Sequence, residues 1–519
     1  MYISHHIATT ALVAACLTFG SVGAAALAAD TKVVATAQLD DFKDWDPAIA
    51  FSIEVNFLQS VYETLTHYNM PGSKEMLSPR LAVSWTHNPE STVWTFKMRK
   101  GAKFHDGTPV TAAAAKASIE RTIKLKQGAS YIWDGISSIE APDDETLIFN
   151  CSRPMAVATI ASAQFGAYIY SPTAAEKGTD WFNAGNDGGS GPFQVESHQK
   201  DTQTVLKKFP GYWGKTVEGG FATAILKVVK EASTQLQLLK SGEVDFIDSL
   251  SPDSIATVQE NPDLAIDLAP SYKNIHMLLN VKKAPTDNLN FRKALAYAMD
   301  YGSAVDGVYS GAGSITSGPL PSTQWGHADG LNAPTFDLDQ AKKYLEDSGI
   351  PADQRKVTLT YPATDEGNKN AALLLQSNAA MIGIDVELKP GPWGTIWERQ
   401  KNLETSENIF EVVLWPTYLT PSDILISIYR TEDPTFFNLG HYDNPAYNQV
   451  LNEAVALEAS RPEQALTKYA EAEKILVEDV SSIGVIDLKN WMPHRKSLVG
   501  YTFNPAYNGF DFGNYRRAD

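Results

Sequence analysis

The sequence predicts an α/β fold, and three features carry that prediction. Residues 93–122 alternate apolar Trp94, Phe96 and Met98 with their neighbours, break at Lys100-Gly101, turn through Asp106-Gly107-Thr108-Pro109, and continue as an alanine-rich helix. Residues 357–388 repeat the theme, with a strand over 357–361, a helix over 370–381 stopped near Gly383, and a strand at Val386-Glu387-Leu388, the order of a βαβ unit. The chain of 519 residues, 43% hydrophobic and 20% charged, is about three domain lengths with material for a large core.

In chain order, residues 1–29 hold no Asp, Glu, Lys or Arg and end in small residues, with Ala26-Leu27-Ala28 in the small-x-small pattern of a secretory cleavage site, so a signal peptide cut near Ala28-Ala29 is expected. Two other readings stay open: a membrane-spanning helix, which the length permits, and a lipid anchor at Cys16 within Val13-Ala14-Ala15-Cys16. Beyond that segment the only cysteine is Cys151, which cannot form an internal disulfide and reads as a buried structural thiol. Residues 33–37 form a short buried strand and residues 51–58 a helix. Thr111 is placed to cap the alanine-rich helix through its hydroxyl. Pro142-Asp143-Asp144 turns between two strands. Gly188-Gly189-Ser190-Gly191-Pro192-Phe193 lacks the Lys-Ser or Lys-Thr of a phosphate cradle and is expected to need positive φ where the chain crosses between lobes. A strand over 274–280, a helix over 291–300 and a helix over 336–345 ended at Gly349 follow.

The wording of these segments is specific. Residues 94–115 resemble the family signature "W-T-F-x-L-R-x-G-x-x-F-H-D-G-x-P-x-T-A-x-D-V" of the bacterial extracellular solute-binding proteins of family 5, the dipeptide-, oligopeptide- and nickel-binding components of ABC importers, departing from it at Ala114-Ala115. Trp45-Asp46-Pro47-Ala48, Val61-Tyr62-Glu63-Thr64-Leu65, Leu81-Ala82-Val83-Ser84-Trp85, Tyr212-Trp213-Gly214, residues 239–245 and residues 291–300 are similar to further family segments, in order. The resemblance implies a two-lobed α/β clam of the type II periplasmic-binding-protein class with an extra subdomain. Lobe I would comprise residues 30–269 plus 490–519, with the subdomain at about 66–188, and lobe II residues 270–489. Two crossings, near Ala269-Pro270-Ser271 and Leu488-Lys489-Asn490, would make a two-stranded hinge that permits closure.

The implied function is capture of a peptide-like or other small solute between the lobes and its delivery to the membrane permease of an ABC importer, by a monomer in the periplasm. The net charge of −18 disfavours nucleic acid and anionic membrane surfaces as partners. An enzyme is not expected: no His-Glu-x-x-His or Gly-x-Ser-x-Gly occurs, and His105-Asp106 and His441-Tyr442-Asp443 read as loop-fixing and helix-capping groups. A secreted hydrolase and a solute receptor for a chemotaxis sensor remain the alternatives. No cofactor and no metal are expected.

The candidate ligand residues gather late in the chain. Trp393 and Trp397 share one face of a helix opened by Pro392, and an apolar strand runs from Phe410 into a loop carrying Trp415, Tyr418 and Asp423. In the family this loop faces the cleft, and in open α/β sheets ligands lie at strand carboxyl ends. Peptide-binding members carry an aspartate there that meets the ligand's amine; this chain has Tyr418, Leu419 or Thr420 at that place and reaches its first acid at Asp423. Ordinary di- and tripeptides are therefore expected to bind weakly, and a ligand with an apolar or ring face better. Phe51, Gln38 and Trp133 are the first-lobe candidates. A metal chelate, a peptide-like or opine-like compound and a sugar derivative all stay open as ligands.

Overall fold

The computed structural model describes residues 33–500 and 502–518; the expected signal peptide, its cleavage site and Cys16 lie outside them. After β1 (Val33–Gln38) come a small hairpin of β2 (Thr66–Tyr68) and β3 (Leu77–Pro79) and an antiparallel sheet of β4 (Ala82–His87), β5 (Val93–Met98), β6 (Ile136–Asp143) and β7 (Thr146–Cys151) in the order β4-β5-β7-β6. The period of two in β5 has its expected result, since Trp94, Phe96 and Met98 are buried and Val93 and Lys97 are exposed. Thr111 Oγ1 accepts from the Ala114 amide at 3.2 Å and opens the helix Ala112–Leu125. Cys151 is half-buried, and burial pushes its thiol up to about 11, which makes it a poor nucleophile at neutral pH.

The main sheet has eleven strands. It takes in β1, β8 (Phe193–Gln199), β9 (Gln203–Lys208), β10 (Thr223–Val228), β11 (Phe246–Ile247), β12 (Leu264–Leu279), β13 (Gly313–Ser314), β14 (Lys356–Thr360), β15 (Asp385–Leu388), β16 (Ile409–Leu414) and β17 (Ser482–Arg495). The order is β15-β14-β16-β12-β17-β11-β1-β10-β9-β8, with β13 pairing β17. The long antiparallel pair β12–β17 joins two halves, one built on β1 and one on β16. Its register breaks between Pro270 and Lys273, beside Ala269-Pro270-Ser271. A last pair, β18 (Leu498–Val499) with β19 (Arg516–Arg517), lies in the C-terminal return, where Arg517 forks onto Asp245 at 2.7 and 3.1 Å.

In each half the strands that flank a helix run parallel. β10 and β11 pair with opposite sides of β1 and are connected by the helix Ala232–Ser241. β14 and β15 pair in parallel through the helix Glu366–Ala380, which starts four residues before the sequence expectation because Asp365 caps it on the Asn368 amide at 2.9 Å. The expected helix over 51–58 begins only at Val55 and runs to Val61; the Glu54 carboxylate accepts from the Ser52 amide and holds the preceding turn.

The glycine-rich run 188–193 corrects an expectation. None of Gly188, Gly189 and Gly191 has positive φ. The run packs within the half built on β1, where a Cβ on Gly189 would stand 1.9 Å from the Val61 carbonyl oxygen and one on Gly191 2.6 Å from that of Ser60. Close backbone approach, not handedness, requires glycine there. Nearby, His105 presents Nδ1 to Asp187 at 2.5 Å and Nε2 to the Gly191 carbonyl at 3.0 Å, while Asp106 accepts from the Thr108 amide at 2.9 Å. These side chains fix the signature loop.

Candidate functional site

The two halves meet around the loop that leaves β16. At its far end the helix Pro421–Tyr429 opens, with Asp423 in its first turn. The Asp423 carboxylate accepts from the Thr417 and Tyr418 amides, so it closes the loop on itself. Its Oδ1 also takes the Tyr131 hydroxyl at 2.8 Å, and that hydroxyl lies 2.9 Å from Thr417 Oγ1. Tyr131 sits in the short turn Ser130–Trp133 of the β1 half, so this contact bridges the halves. Gln164 adds two more bridges, from Nε2 to the Pro416 carbonyl at 2.9 Å and from its amide to the Thr417 carbonyl at 3.2 Å. Tyr68 donates to the Leu419 carbonyl at 3.1 Å.

No cation meets Asp423 in these contacts, and burial pushes its carboxyl up to about 7. The acid nearest the expected amine position is thus already committed to three donors of the protein itself.

An aromatic chain runs alongside. Phe51 packs on Phe165 at 5.1 Å and on Phe437 at 5.1 Å between ring centroids; Phe437 packs on Tyr131 at 5.4 Å and on Trp397 at 5.0 Å; Trp397 packs on Trp393 at 5.2 Å. Phe51, Phe165 and Tyr131 belong to the β1 half, and Phe437, Trp397 and Trp393 to the β16 half. Trp393 is 40% exposed at the outer end of the chain and Trp397 is partly buried.

The expected residues separate into groups. Phe51, Trp393 and Trp397 join this chain. Trp415 is half-buried at the carboxyl end of β16. Tyr418 is 8% exposed and packs into the core of the β1 half, with its phenol held well above the usual range by burial. Trp133 lies apart from the loop: it is 2% exposed, donates to the Gly166 carbonyl at 2.8 Å and stacks on Phe149 at 5.7 Å, inside the core of the four-stranded sheet. Gln38 is fully buried at the end of β1; its Nε2 donates to the Asp40 carbonyl at 3.0 Å and its Oε1 has no partner. Sequence reasoning missed Tyr131, Gln164, Phe165 and Phe437. Phe436-Phe437 in a turn-rich stretch was the one available signal; the others sit in short segments with no periodicity.

A cavity of about 90 Å³ lies inside the β1 half, lined in part by Gln59, Glu63, Arg80, Tyr212 and Asp511. Its charges are matched, with Arg80 3.5 Å from Glu63 and Tyr212 donating to Glu63 at 2.7 Å. Among the described residues no group of three His, Cys, Asp or Glu side chains could hold a metal ion, and no helix is long and apolar enough to cross a membrane.

Comparison with known proteins matches residues 76–435 to the model of the bacterial extracellular solute-binding proteins, family 5, middle region. The chain is 28% identical over 454 residues to the probable D,D-dipeptide-binding periplasmic protein of Escherichia coli (strain K12), covering 86% of each chain. In fold it is similar to the ABC transporter-associated periplasmic binding protein of Helicobacter pylori solved with the peptide STSA, with a TM-score of 0.84 at 23% identity over 94% of this chain and 98% of that one. It is also similar to a periplasmic binding protein of A. tumefacien R10 solved with agropinic acid, with a TM-score of 0.81 at 23% identity over 94% of this chain and 99% of that one. One fold thus accommodates both a peptide and agropinic acid, and only side chains can discriminate between such ligands.

Proposed function

The chain belongs to the bacterial extracellular solute-binding proteins of family 5, and from that premise we propose where its solute sits and what it is. The protein is the solute-binding component of an ABC importer on a two-lobed α/β clam. Its lobes are residues 30–269 with 490–519 and residues 270–489, hinged where β12 breaks register between Pro270 and Lys273 and where β17 passes it. The solute lies at the carboxyl end of β16, between the loop 415–420 and the first lobe, against Trp415 and the chain from Phe51 through Phe437 to Trp397. The chain acts by binding and closing, without turnover. It is exported by cleavage near Ala28-Ala29 and hands its solute to a membrane permease.

The observation that carries this reading is the set of contacts across the halves, in which Tyr131 and Gln164 grip the Pro416–Asp423 stretch at the strand end where α/β sheets hold ligands. Closure brings these groups together, and the solute stabilises the closed form by its greater affinity for it. Because Asp423 is committed to protein donors, the solute is a compact compound with an apolar or ring face rather than an extended peptide whose amine reaches this loop. Native mass spectrometry of protein taken from the exporting host should find one bound small solute. Small-angle scattering should show a smaller radius of gyration with that solute than after its removal. A protein that carries no solute and does not compact would overturn the reading.

A further inference from the structure

Three side chains of the β1 half reach the loop that leaves β16: Tyr131, Tyr68 and Gln164. Tyr131 is carried by its own short turn, Ser130–Trp133. Tyr68 and Gln164 stand far apart in sequence, yet both are held from behind by one stretch of the C-terminal return, residues 504–508.

Tyr68 closes β2, a strand of three residues in a two-stranded hairpin. Its amide donates to the Tyr507 hydroxyl at 2.8 Å, and its carbonyl accepts from Asn504 Nδ2 at 3.0 Å. The Tyr507 hydroxyl donates in turn to the Ser162 carbonyl at 3.2 Å, and its ring stacks on His67 at 4.7 Å, 9° from parallel. A hairpin this short has little ladder to orient it. The contacts from Tyr507 and Asn504 therefore fix the strand end from which Tyr68 donates to the Leu419 carbonyl at 3.1 Å.

Gln164 is buried, and its side-chain amide is used at both ends. Oε1 accepts from the Asn508 amide at 3.1 Å, while Nε2 donates to the Pro416 carbonyl at 2.9 Å. A carboxamide has one donor end and one acceptor end. The Asn508 amide can only donate, so it claims the oxygen and leaves the nitrogen facing Pro416. The flipped side chain would set oxygen against oxygen at Pro416 and N–H against N–H at Asn508, leaving buried groups unpaired. The Asn508 amide thus selects the one orientation in which Gln164 grips the other half.

The same stretch reaches the hinge. Ala506 packs in a small apolar cluster with Tyr68, Leu419 and Tyr272, and Tyr272 stands in the register break of β12. On its other side Tyr507 lines the cavity of about 90 Å³ together with His67 and Asp511. A ring that borders open space is placed by its hydrogen bonds and its stack more than by dense packing.

We propose that residues 504–508 are a brace for capture, in which Tyr507 and Asn504 position Tyr68, and the Asn508 amide positions Gln164, to hold the loop 416–419 in the closed form. The brace rests on the solute-capture reading above and sets how long the solute is held. Tyr507 and Asn504 are positioning residues that act through Tyr68.

The test is a double-mutant cycle on the full mature protein loaded with the solute that co-purifies, identified by mass spectrometry. Stopped-flow release of that solute reads the lifetime of the closed form, and small-angle scattering reads compaction. Tyr507→Phe removes the hydroxyl and keeps the ring on His67; it should speed release about fivefold, the scale of one neutral hydrogen bond. Tyr68→Phe should do the same. Because Tyr507 acts through Tyr68, the double variant should release no faster than about twice the Tyr68→Phe rate, well short of the product of the two effects. Asn504→Asp keeps the oxygen that accepts from the Ala506 amide and loses the donor to Tyr68, so it gives a second route into the cycle and should also speed release. Tyr212→Phe is the control. It lines the same cavity and donates to Glu63 at 2.7 Å, so its loss should lower the urea midpoint and leave release at the wild-type rate. Brace variants that release and compact as the wild type does, effects of Tyr507→Phe and Tyr68→Phe that multiply, or equally fast release from Tyr212→Phe overturn the brace while leaving solute capture intact. A wild-type protein that holds no solute and does not compact overturns both.

Discussion

Replacing Tyr131 by Phe isolates the contact that joins the halves. The ring stays in place against Phe437, and only the hydroxyl that donates to Asp423 at 2.8 Å and lies 2.9 Å from Thr417 Oγ1 is lost. A hydrogen bond to a charged acceptor contributes about 1.5–3 kcal/mol, and one to a neutral acceptor about 0.5–1.5 kcal/mol. At about 1.4 kcal/mol per tenfold, the variant should shift the closing equilibrium, and with it solute affinity, by roughly 10- to 150-fold when Asp423 is ionised and roughly 2- to 10-fold when it is protonated. The sign with pH follows from Asp423. Its carboxyl in the closed form is raised to about 7 by burial, so protonation favours that form. The protonated contribution is complete below the ordinary carboxylate range and is lost as pH rises through about 7. Calorimetry with the co-purified solute at pH 6 and pH 8, beside scattering measurements of compaction, reads both effects. Urea unfolding of the variant should change little, because each half keeps its own core. Equal affinity losses at the two pH values, or unchanged closure with a lower urea midpoint, would refute the bridging role of Tyr131.

Other outcomes follow from single sites. Trp397→Ala should cost about 2 kcal/mol or more of solute binding, the scale of a buried aromatic anchor, with the circular dichroism spectrum unchanged. Arg121→Met should destabilise the fold by about 3–5 kcal/mol in urea, because Asp46, fully buried, loses a two-pronged partner at 2.7 and 2.5 Å. Gly189→Ala should lower the melting temperature at a cost of about 1–3 kcal/mol or more, since its Cβ would meet the Val61 carbonyl at 1.9 Å. N-terminal sequencing of protein from the envelope fraction should begin at Ala29 or Asp30.

Sequence alone determined what depends on neighbours along the chain. Alternation set β5, turn chemistry set a hairpin between β6 and β7, although its turn falls at Asp144-Glu145 with Pro142 and Asp143 inside β6, and the cap at Thr111 opened its helix. The order of short motifs from Asp46 onward carried the family. Only the tertiary structure decided what depends on residues far apart. Trp133 and Trp397 are both tryptophans in apolar surroundings, yet one stacks in a core on Phe149 and the other stands at the meeting of the halves, since exposure is set by what the rest of the chain brings alongside. Asp423 looked free to meet an amine, and the fold commits it to Tyr131, 292 residues away. Periodicity records which way one residue points relative to its neighbours, whereas a cleft is formed by side chains on different strands, whose arrangement follows from the pairing of the whole sheet.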